Sequence, residues 1–280
     1  NFIFGKKHMG GDNSDFGKII FESKDSTLVI IGDTKSFSNK KGDIWVIKTK
    51  KNGYERWNKI FGGKGEDELK NAAKLKNGKI LLSIKTNTSD KFLKTNTNNY
   101  YAKQICITNK GVQLWANKFS TNVNNEINDI HISQNNKILN IGYFTTIRDK
   151  NYEKVISNWK WLPKNSISIN VKNGWVFETD IKGVKENELF FSGNLDESVM
   201  KCDIDENSNI IILGNINAYN DDQNDIIILT YDINGNIIKA DPFLSDNSIY
   251  AKSFYKKLDG GIIFIGDERS SYTYGMNVKV

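Results

Sequence analysis

Residues 16–63 read FGKIIFESKDSTLVIIGDTKSFSNKKGDIWVIKTKKNGYERWNKIFGG and contain four short apolar runs. The runs are FGKIIFES, LVIIGDT, DIWVIKT and YERWNKIFGG, and each is rich in β-branched or aromatic residues. Turn-forming stretches such as KDST and KKNG separate them, which is typical of consecutive β-hairpins. This stretch therefore predicts one antiparallel unit of four strands. Its second run is apolar almost throughout, which indicates a strand covered on both faces.

The second run of this unit recurs along the chain, and every copy ends in a small residue. The copies end at Gly32, Ser83, Gly142, Gly214 and Gly266, with spacings of 51, 59, 72 and 52 residues. A long period of all-strand units is the signature of a β-propeller or a related array, because one such unit cannot bury its own faces. We therefore expect an all-β, five-bladed β-propeller with four-stranded antiparallel blades.

The units predict one propeller domain over residues 1–280. Its blades would lie at about 12–61, 62–119, 120–183, 184–243 and 244–280. The third unit is irregular, with a third strand in EKVISNWKWL, an insertion at 163–173 and GWVFETDI as its last strand. The fifth unit lacks a fourth strand, and NFIFGKKHMGG at 1–11 matches the outer strand of the other units. We expect 1–11 to complete the last blade and to close the ring, which removes the open sheet edges.

Composition limits the possible partners. The 280 residues are 38% hydrophobic, and no apolar run reaches 18 residues, so we expect no membrane span. The net charge of +6 comes mostly from lysines in turns, without an arginine-rich stripe, which argues against nucleic-acid binding. The chain begins at Asn1, so we expect a processed product or an excised segment. Cys106 and Cys202 fall in predicted strands, where buried free thiols are expected, although the sequence leaves their pairing open.

The run GDIWVIKTKKNGYERWNKIFGGKGEDE at 42–68 resembles a propeller repeat of bacterial exported and surface proteins. Those repeats read as GDxW, an apolar strand, a DxxG-type turn, Trp and GGxGDD, and they are distantly similar to quinoprotein-like propellers. The resemblance implies a secreted, periplasmic or cell-surface protein with an interaction role. It brings no catalytic residue and no quinone cofactor to this chain, because the shared positions are turn glycines and packing aromatics.

Each unit begins its first strand beside an acid. These candidate binding residues are Asp15, Asp67, Glu126, Asp196 and Asp246. First strands are innermost in propellers, so the acids should surround one mouth of the central channel. They could bind backbone N–H groups of the linkers between blades, or they could hold a cation, a sugar or a basic peptide. Arabinanase-type five-bladed glycosidases place acids at such strand ends, but the required carboxyl separations cannot be read from sequence.

Other motifs suggest structural roles. DIDENSN at 203–209 lacks the glycine and the distal glutamate of a calcium loop, so we expect a hairpin turn. Trp159 and Trp161 share one strand face and are expected in the core. His8 and His131 have no partners at metal-ligand spacing, so we expect neither a metal nor a cofactor.

These patterns favour a non-catalytic, exported binding or scaffold module. Its ligand would be a protein or a glycan, met at a face formed by the loops 86–99 and 183–195 beside the acids. The insertion 163–173 would lie on the opposite face. The alternative is a glycoside hydrolase or lyase that uses acidic residues at the channel mouth.

Overall fold

The computed structural model describes most of the chain. The described residues are 8–23, 25–38, 41–87, 100–119, 124–133, 135, 137–145, 172–191, 197–216, 224–232, 236–270 and 273–279. All regular structure within these ranges is β-strand, arranged in five antiparallel sheets. The all-β prediction is confirmed. The described part of the chain also contains no helix long and apolar enough to cross a membrane.

The chain forms two compact units, Asn1–Ile127 and Asn128–Val280. In the first unit, sheet 1 has the order β1-β2-β3-β4 and sheet 2 the order β5-β6-β7-β8. The strands of sheet 1 are β1 (Asp15–Glu22), β2 (Leu28–Thr34), β3 (Asp43–Thr49) and β4 (Glu55–Phe61). Those of sheet 2 are β5 (Asp67–Lys74), β6 (Ile80–Thr86), β7 (Tyr101–Ile107) and β8 (Gln113–Lys118).

Three further sheets follow in chain order. Sheet 3 comprises β9 (Asn125–Ile132), β10 (Ile138–Thr145), β11 (Lys172–Thr179) and β12 (Lys185–Phe191). Sheet 4 comprises β13 (Ser198–Ile204), β14 (Ile210–Ile216), β15 (Asp225–Tyr231) and β16 (Ile237–Phe243). Sheet 5 has three strands among the described residues, β17 (Ser248–Lys256), β18 (Ile262–Ser270) and β19 (Thr273–Lys279).

The central strands of each sheet supply the core, as their continuous apolar character predicts. In the first unit, Ile31, Ile44 and Val46 of sheet 1 pack with Leu82 and Ile105 of sheet 2, and all are buried. Sheets 3 and 4 share a second buried cluster, and sheets 4 and 5 share a third. The buried clusters between neighbouring sheets thus consist mostly of side chains from the second and third strands. Cys106 and Cys202 lie in buried positions as free thiols, as expected.

The glycine that ends the second run has a steric reason. A Cβ at Gly32 would collide with the backbone carbonyl of Phe16 on β1, so a side chain is excluded there. In sheet 2, however, Thr86 pairs with Asp67 as Thr34 pairs with Asp15, so the equivalent of Gly32 is Ile84. The prediction that Ser83 is the repeat position was wrong by one residue.

Sheet 3 differs from its predicted form. GWVFETDI belongs mostly to β11, the third strand, because Gly142 on β10 pairs with Trp175. The last strand is β12, so the sheet continues past the predicted blade end at 183, and residues 183–195 do not form one long loop. The insertion 163–173 falls on the connection between the second and third strands, the same kind of connection as 86–99, and not opposite it. The predicted strand EKVISNWKWL, with Trp159 and Trp161, lies outside the described residues.

The closing of the ring by residues 1–11 stays a prediction. Residues 1–7 lie outside the described part of the chain, and 8–11 form no strand. Sheet 5 shows three strands where the other four sheets show four.

Candidate functional site

A β-bulge interrupts the first strand of four sheets at the same place. The pairing of β1 with β2 skips one residue between Gly17 and Ile19, and the pairings of β5, β13 and β17 with their neighbours skip in the equivalent position. The bulged residues are Lys18, Lys70, Met200 and Lys252. A bulge redirects a side chain out of the regular alternation of the strand. In the first unit it directs two lysines toward acids of neighbouring sheets.

A backbone hydrogen bond joins consecutive sheets at the start of the first strand in sheets 2 to 5. In the first unit the Asp67 N–H donates to the Gly42 carbonyl at 3.0 Å, and the Asn125 N–H donates to the Tyr100 carbonyl at 3.1 Å. Sheets 3 to 5 repeat this bond twice, from Glu197 to Lys172 and from Ile249 to Asn224, at 2.9 and 2.7 Å. The first strands are therefore placed by the backbone of the preceding sheet.

Two of the predicted acids fasten their own loops. Asp15 accepts hydrogen bonds from the Thr34 and Ser36 hydroxyls at 2.6 and 2.7 Å, and from the Gly11 N–H at 2.9 Å. Partial burial raises the pKa of Asp15, but these donors outweigh burial and hold the pKa well below its usual value. Asp67 is buried and accepts from the Gly63 N–H at 2.9 Å. These contacts fit the interpretation that the acids bind linker N–H groups.

Glu126 stands in a different environment. Its side chain is only 7% exposed, and its two oxygens form ion pairs with Lys70 Nζ at 2.6 Å and Lys85 Nζ at 3.1 Å. Burial alone would raise the pKa of Glu126, but Lys70 and Lys85 lower it below the usual value. Burial would likewise lower the pKa of Lys70, and Glu126 and Glu68 raise it. Glu126 is thus a carboxylate that stays ionised.

The ion pairs continue from Glu126 across sheets 2 and 1. Glu68 Oε1 lies 3.5 Å from Lys70 Nζ and 3.2 Å from Lys18 Nζ, and Lys18 Nζ lies 2.6 Å from Asp33 Oδ2. Three carboxylates therefore alternate with three ammonium groups along one edge of the first unit. We call this row the charged edge; in order it is Asp33, Lys18, Glu68, Lys70, Glu126 and Lys85.

The members of the charged edge differ in exposure. Glu68 is the most open, with 42% of its side chain exposed, and its Oε2 makes no hydrogen bond or ion pair to any described residue. Asp33 also accepts a hydrogen bond from the Leu69 N–H at 2.7 Å, which joins sheets 1 and 2. Glu68 is therefore the most accessible carboxylate of the row, between two that are held in place.

Tyr100 lies beside the charged edge. Lys85 Nζ lies 4.9 Å from the centre of its ring, and its hydroxyl donates to Glu66 Oε2 at 2.8 Å. The hydrogen bond to Glu66 raises the pKa of the Tyr100 hydroxyl. The Tyr100 ring thus lies next to Lys85, the last residue of the charged edge.

Two predicted acids remain. Asp246 is exposed in the bend before β17, and Asp196 lies outside the described residues. The roles of Asp15, Asp67, Glu126, Asp196 and Asp246 in binding stay a prediction.

The lysines of the charged edge were missed by sequence reasoning, although a signal exists. DFGK at 15–18 and DELK at 67–70 place a lysine three residues after the first acid of the strand.

Ion pairs also involve the first strands of sheets 4 and 5 in the second unit. Lys201 pairs with Asp129 at 2.9 Å, and Lys252 pairs with Asp267 at 2.9 Å. DIDENSN forms the predicted turn between β13 and β14, with Asp205 accepting the N–H groups of Asn207 and Asn209 at 2.8 Å each. Across the described ranges no group of three or more His, Cys, Asp or Glu residues is arranged to hold a metal ion.

Comparisons with known proteins give similarity in structure alone. No family model matches the sequence, and no curated protein matches it. An endo-arabinase from Bacteroides thetaiotaomicron is similar with a TM-score of 0.48 at 10% identity, over 95% of this chain and 91% of that one. MPT-4, a mannose phosphorylase from Leishmania mexicana solved with phosphate ion, has a TM-score of 0.40 at 10% identity, over 89% and 78% of the two chains.

These neighbours correct the main functional prediction. Both are enzymes by name, so this comparison contradicts the expectation of a non-catalytic binding or scaffold module. The likeness itself says nothing about substrate or catalytic residues in this chain.

Proposed function

We propose that this protein hydrolyses glycosidic bonds at the charged edge of its first unit. The observation that carries the proposal is the spacing of the carboxylates. Glu68 and Glu126 share Lys70 Nζ at 3.5 and 2.6 Å, so the two carboxylate oxygens cannot be more than about 6 Å apart. Carboxyl groups lie ~5–5.5 Å apart in retaining glycosidases and ~6.5–9.5 Å apart in inverting ones. This bound on one pair of oxygens is compatible with the retaining arrangement.

The environments of the two carboxylates suggest different roles. Glu126 is held ionised by Lys70 and Lys85 and supplies the negative charge next to the anomeric carbon, where positive charge develops. Glu68 is exposed and keeps one oxygen open, so in its protonated form it can give a proton to the leaving oxygen, and as the resulting carboxylate it can take one from the attacking water. Asp33 fixes Lys18, which in turn positions Glu68.

Charge balance favours a hydrolase over a lyase. A lyase acting on an acidic glycan needs surplus positive charge to neutralise the carboxylate of its substrate. The charged edge has as many carboxylates as ammonium groups, which favours a neutral glycan.

We also propose that the five sheets are the blades of a closed propeller, with 1–11 as the fourth strand of the last blade. Sheet 5 has one strand fewer than the other sheets among the described residues, and backbone bonds recur between consecutive sheets; both observations support this arrangement. An exported location is part of the same proposal, which cell fractionation of the source organism tests.

The test of function is release of reducing sugar from a panel of neutral and acidic polysaccharides. We expect hydrolysis of a neutral member, with the activity of Glu68→Gln and Glu126→Gln reduced at least ~100-fold. Glu22→Gln is the matched control, since Glu22 is exposed at the far end of β1, away from the ion pairs. Full activity in the Glu68→Gln variant would remove this residue from the mechanism. Absence of turnover across the panel would refute the proposed function.

A further inference from the structure

Sheet 1 carries an aromatic pocket distinct from the charged edge. The pocket has a volume of about 430 Å³, and its lining includes His8, Phe37, Trp45, Glu55 and Asn58. This volume falls in the range of ~300–1,000 Å³ that small-molecule sites occupy. None of these residues belongs to the row of carboxylates and lysines.

The register of β3 and β4 explains why three of these side chains meet. Trp45 and Ile47 point to one face of β3, and Asn58 faces Ile47 from β4. Glu55 pairs with Thr49, two residues further along the same face. Gly32 lies opposite Trp45 on β2 and, having no side chain, leaves room for the indole.

The pocket combines aromatic surface with unused polar atoms. The rings of Phe37 and Trp45 lie 4.8 Å apart between centres at a tilt of 53°. Asn58 Nδ2 donates to Glu55 Oε1 at 2.7 Å, which leaves Glu55 Oε2 and Asn58 Oδ1 as acceptors. Aromatic rings and two acceptors lining one pocket match a sugar, which presents C–H groups on one face and hydroxyls at its edge.

The indole itself supports a ligand that forms hydrogen bonds. Trp45 Nε1 is buried and has no hydrogen-bond partner among the described residues. Buried donors are almost always satisfied, so this N–H is an exception that calls for an acceptor. A small tilt of the ring toward a ligand hydroxyl would break no existing hydrogen bond.

We propose that this pocket binds one neutral sugar residue of a glycan, as a second binding site beside the charged edge. The Glu55 carboxylate disfavours an acidic sugar, since like charges would meet in the pocket. The pocket binds without catalysing, because it brings together only one carboxylate. It stands independently of the proposed hydrolysis.

The test uses the full chain carrying Glu68→Gln, so that a probe is not consumed. Neutral pentose and hexose oligosaccharides of four to six units are titrated while tryptophan fluorescence is followed. We expect a saturable change that disappears in Trp45→Phe and persists in Trp115→Phe, the control on β8. Phe37→Ala and Glu55→Gln, which change exposed side chains, should each weaken binding about tenfold.

Several outcomes would overturn the site. One is the absence of a fluorescence change with every neutral probe. Another is an unchanged affinity in both Phe37→Ala and Glu55→Gln. A third is binding only to an oligouronate or only to tetramethylammonium. The two proposals separate on a short chromogenic glycoside, cleaved in the otherwise native chain. Pocket variants that lose oligosaccharide binding but cleave it normally support both proposals. Binding at Trp45 without cleavage in the native chain would refute only the hydrolysis.

Discussion

Replacing Glu126 with Gln should destabilise the first unit in a pH-dependent way. Glu126 is 7% exposed and neutralises two lysines that are themselves 23% and 25% exposed. Removing one partner of a fully buried ion pair costs ~3–5 kcal/mol, whereas an exposed pair contributes ~0–1 kcal/mol. The lysines can partly rehydrate, and Lys70 keeps Glu68 at 3.5 Å. We therefore expect Glu126→Gln to lower the free energy of unfolding by about 2–3 kcal/mol at pH 7.

The sign of the pH dependence follows from the pKa shifts. Because folding lowers the pKa of Glu126, its stabilisation is complete above the unfolded value of ~4.3 and is lost as the pH falls through the folded value. The difference between native chain and variant should thus be constant near pH 6–7 and shrink in acid. Folding raises the pKa of Lys70, so its stabilisation is present below ~10.4 and is lost as the pH rises through the higher folded value.

Urea denaturation from pH 3 to pH 7, followed by tryptophan fluorescence and circular dichroism, measures this difference. Glu22→Gln is the control and should change stability by less than ~0.5 kcal/mol. A Glu126→Gln effect below ~0.5 kcal/mol at pH 7, or one that stays the same into acid, would refute the argument that its ion pairs stabilise the unit.

Further predictions concern sites of known packing. Gly32→Ala should destabilise by about 3 kcal/mol, because its Cβ would collide with a carbonyl of β1, whereas Gly214→Ala, with 3.2 Å to the nearest carbonyl, should cost under ~1.5 kcal/mol; equal effects in thermal melts would contradict this. Burial raises the pKa values of Cys106 and Cys202, so a thiol reagent should modify them at least ~100-fold more slowly in the folded chain than in urea, and rapid native labelling would show that they are accessible. Asp205→Ala removes the acceptor of two turn N–H groups and should cost about 1 kcal/mol in urea titrations, while a calcium-dependent rise in the Tm of the native chain would contradict the turn assignment.

Local patterns predicted the sheets well because they depend on neighbouring residues. FGKIIFES, LVIIGDT, DIWVIKT and YERWNKIFGG became β1 to β4, and the second-strand glycines reflect a steric requirement seen at Gly32. The pattern of a small residue at the end of the second strand failed in sheet 2, where Ile84 occupies the position of Gly32. In sheet 3 the long insertion hid the order of strands, and GWVFETDI was assigned one position too late.

The site was harder to predict because it depends on bulges and on contacts between sheets. Glu126 was identified from its place at a strand start, but its partners Lys70 and Lys85 come from another sheet. A one-residue bulge cannot be read from alternation, so the shared spacing in DFGK and DELK did not by itself show that Lys18 and Lys70 face acids. Asp15 and Asp67 stand at the starts of first strands, and both anchor their own loops.

The bulges of the first strands also bear on misassembly. β1, β5, β13 and β17 each stand at the end of their sheet's strand order, where a free edge can recruit a strand of another molecule. Proteins protect such edges with bulges, which twist the strand away from straight pairing, and with lysines, which are costly to desolvate. Here both devices coincide, since three of the four bulged residues are lysines. A bulge and a lysine on the same edge strand thus disfavour its pairing with a strand of another molecule.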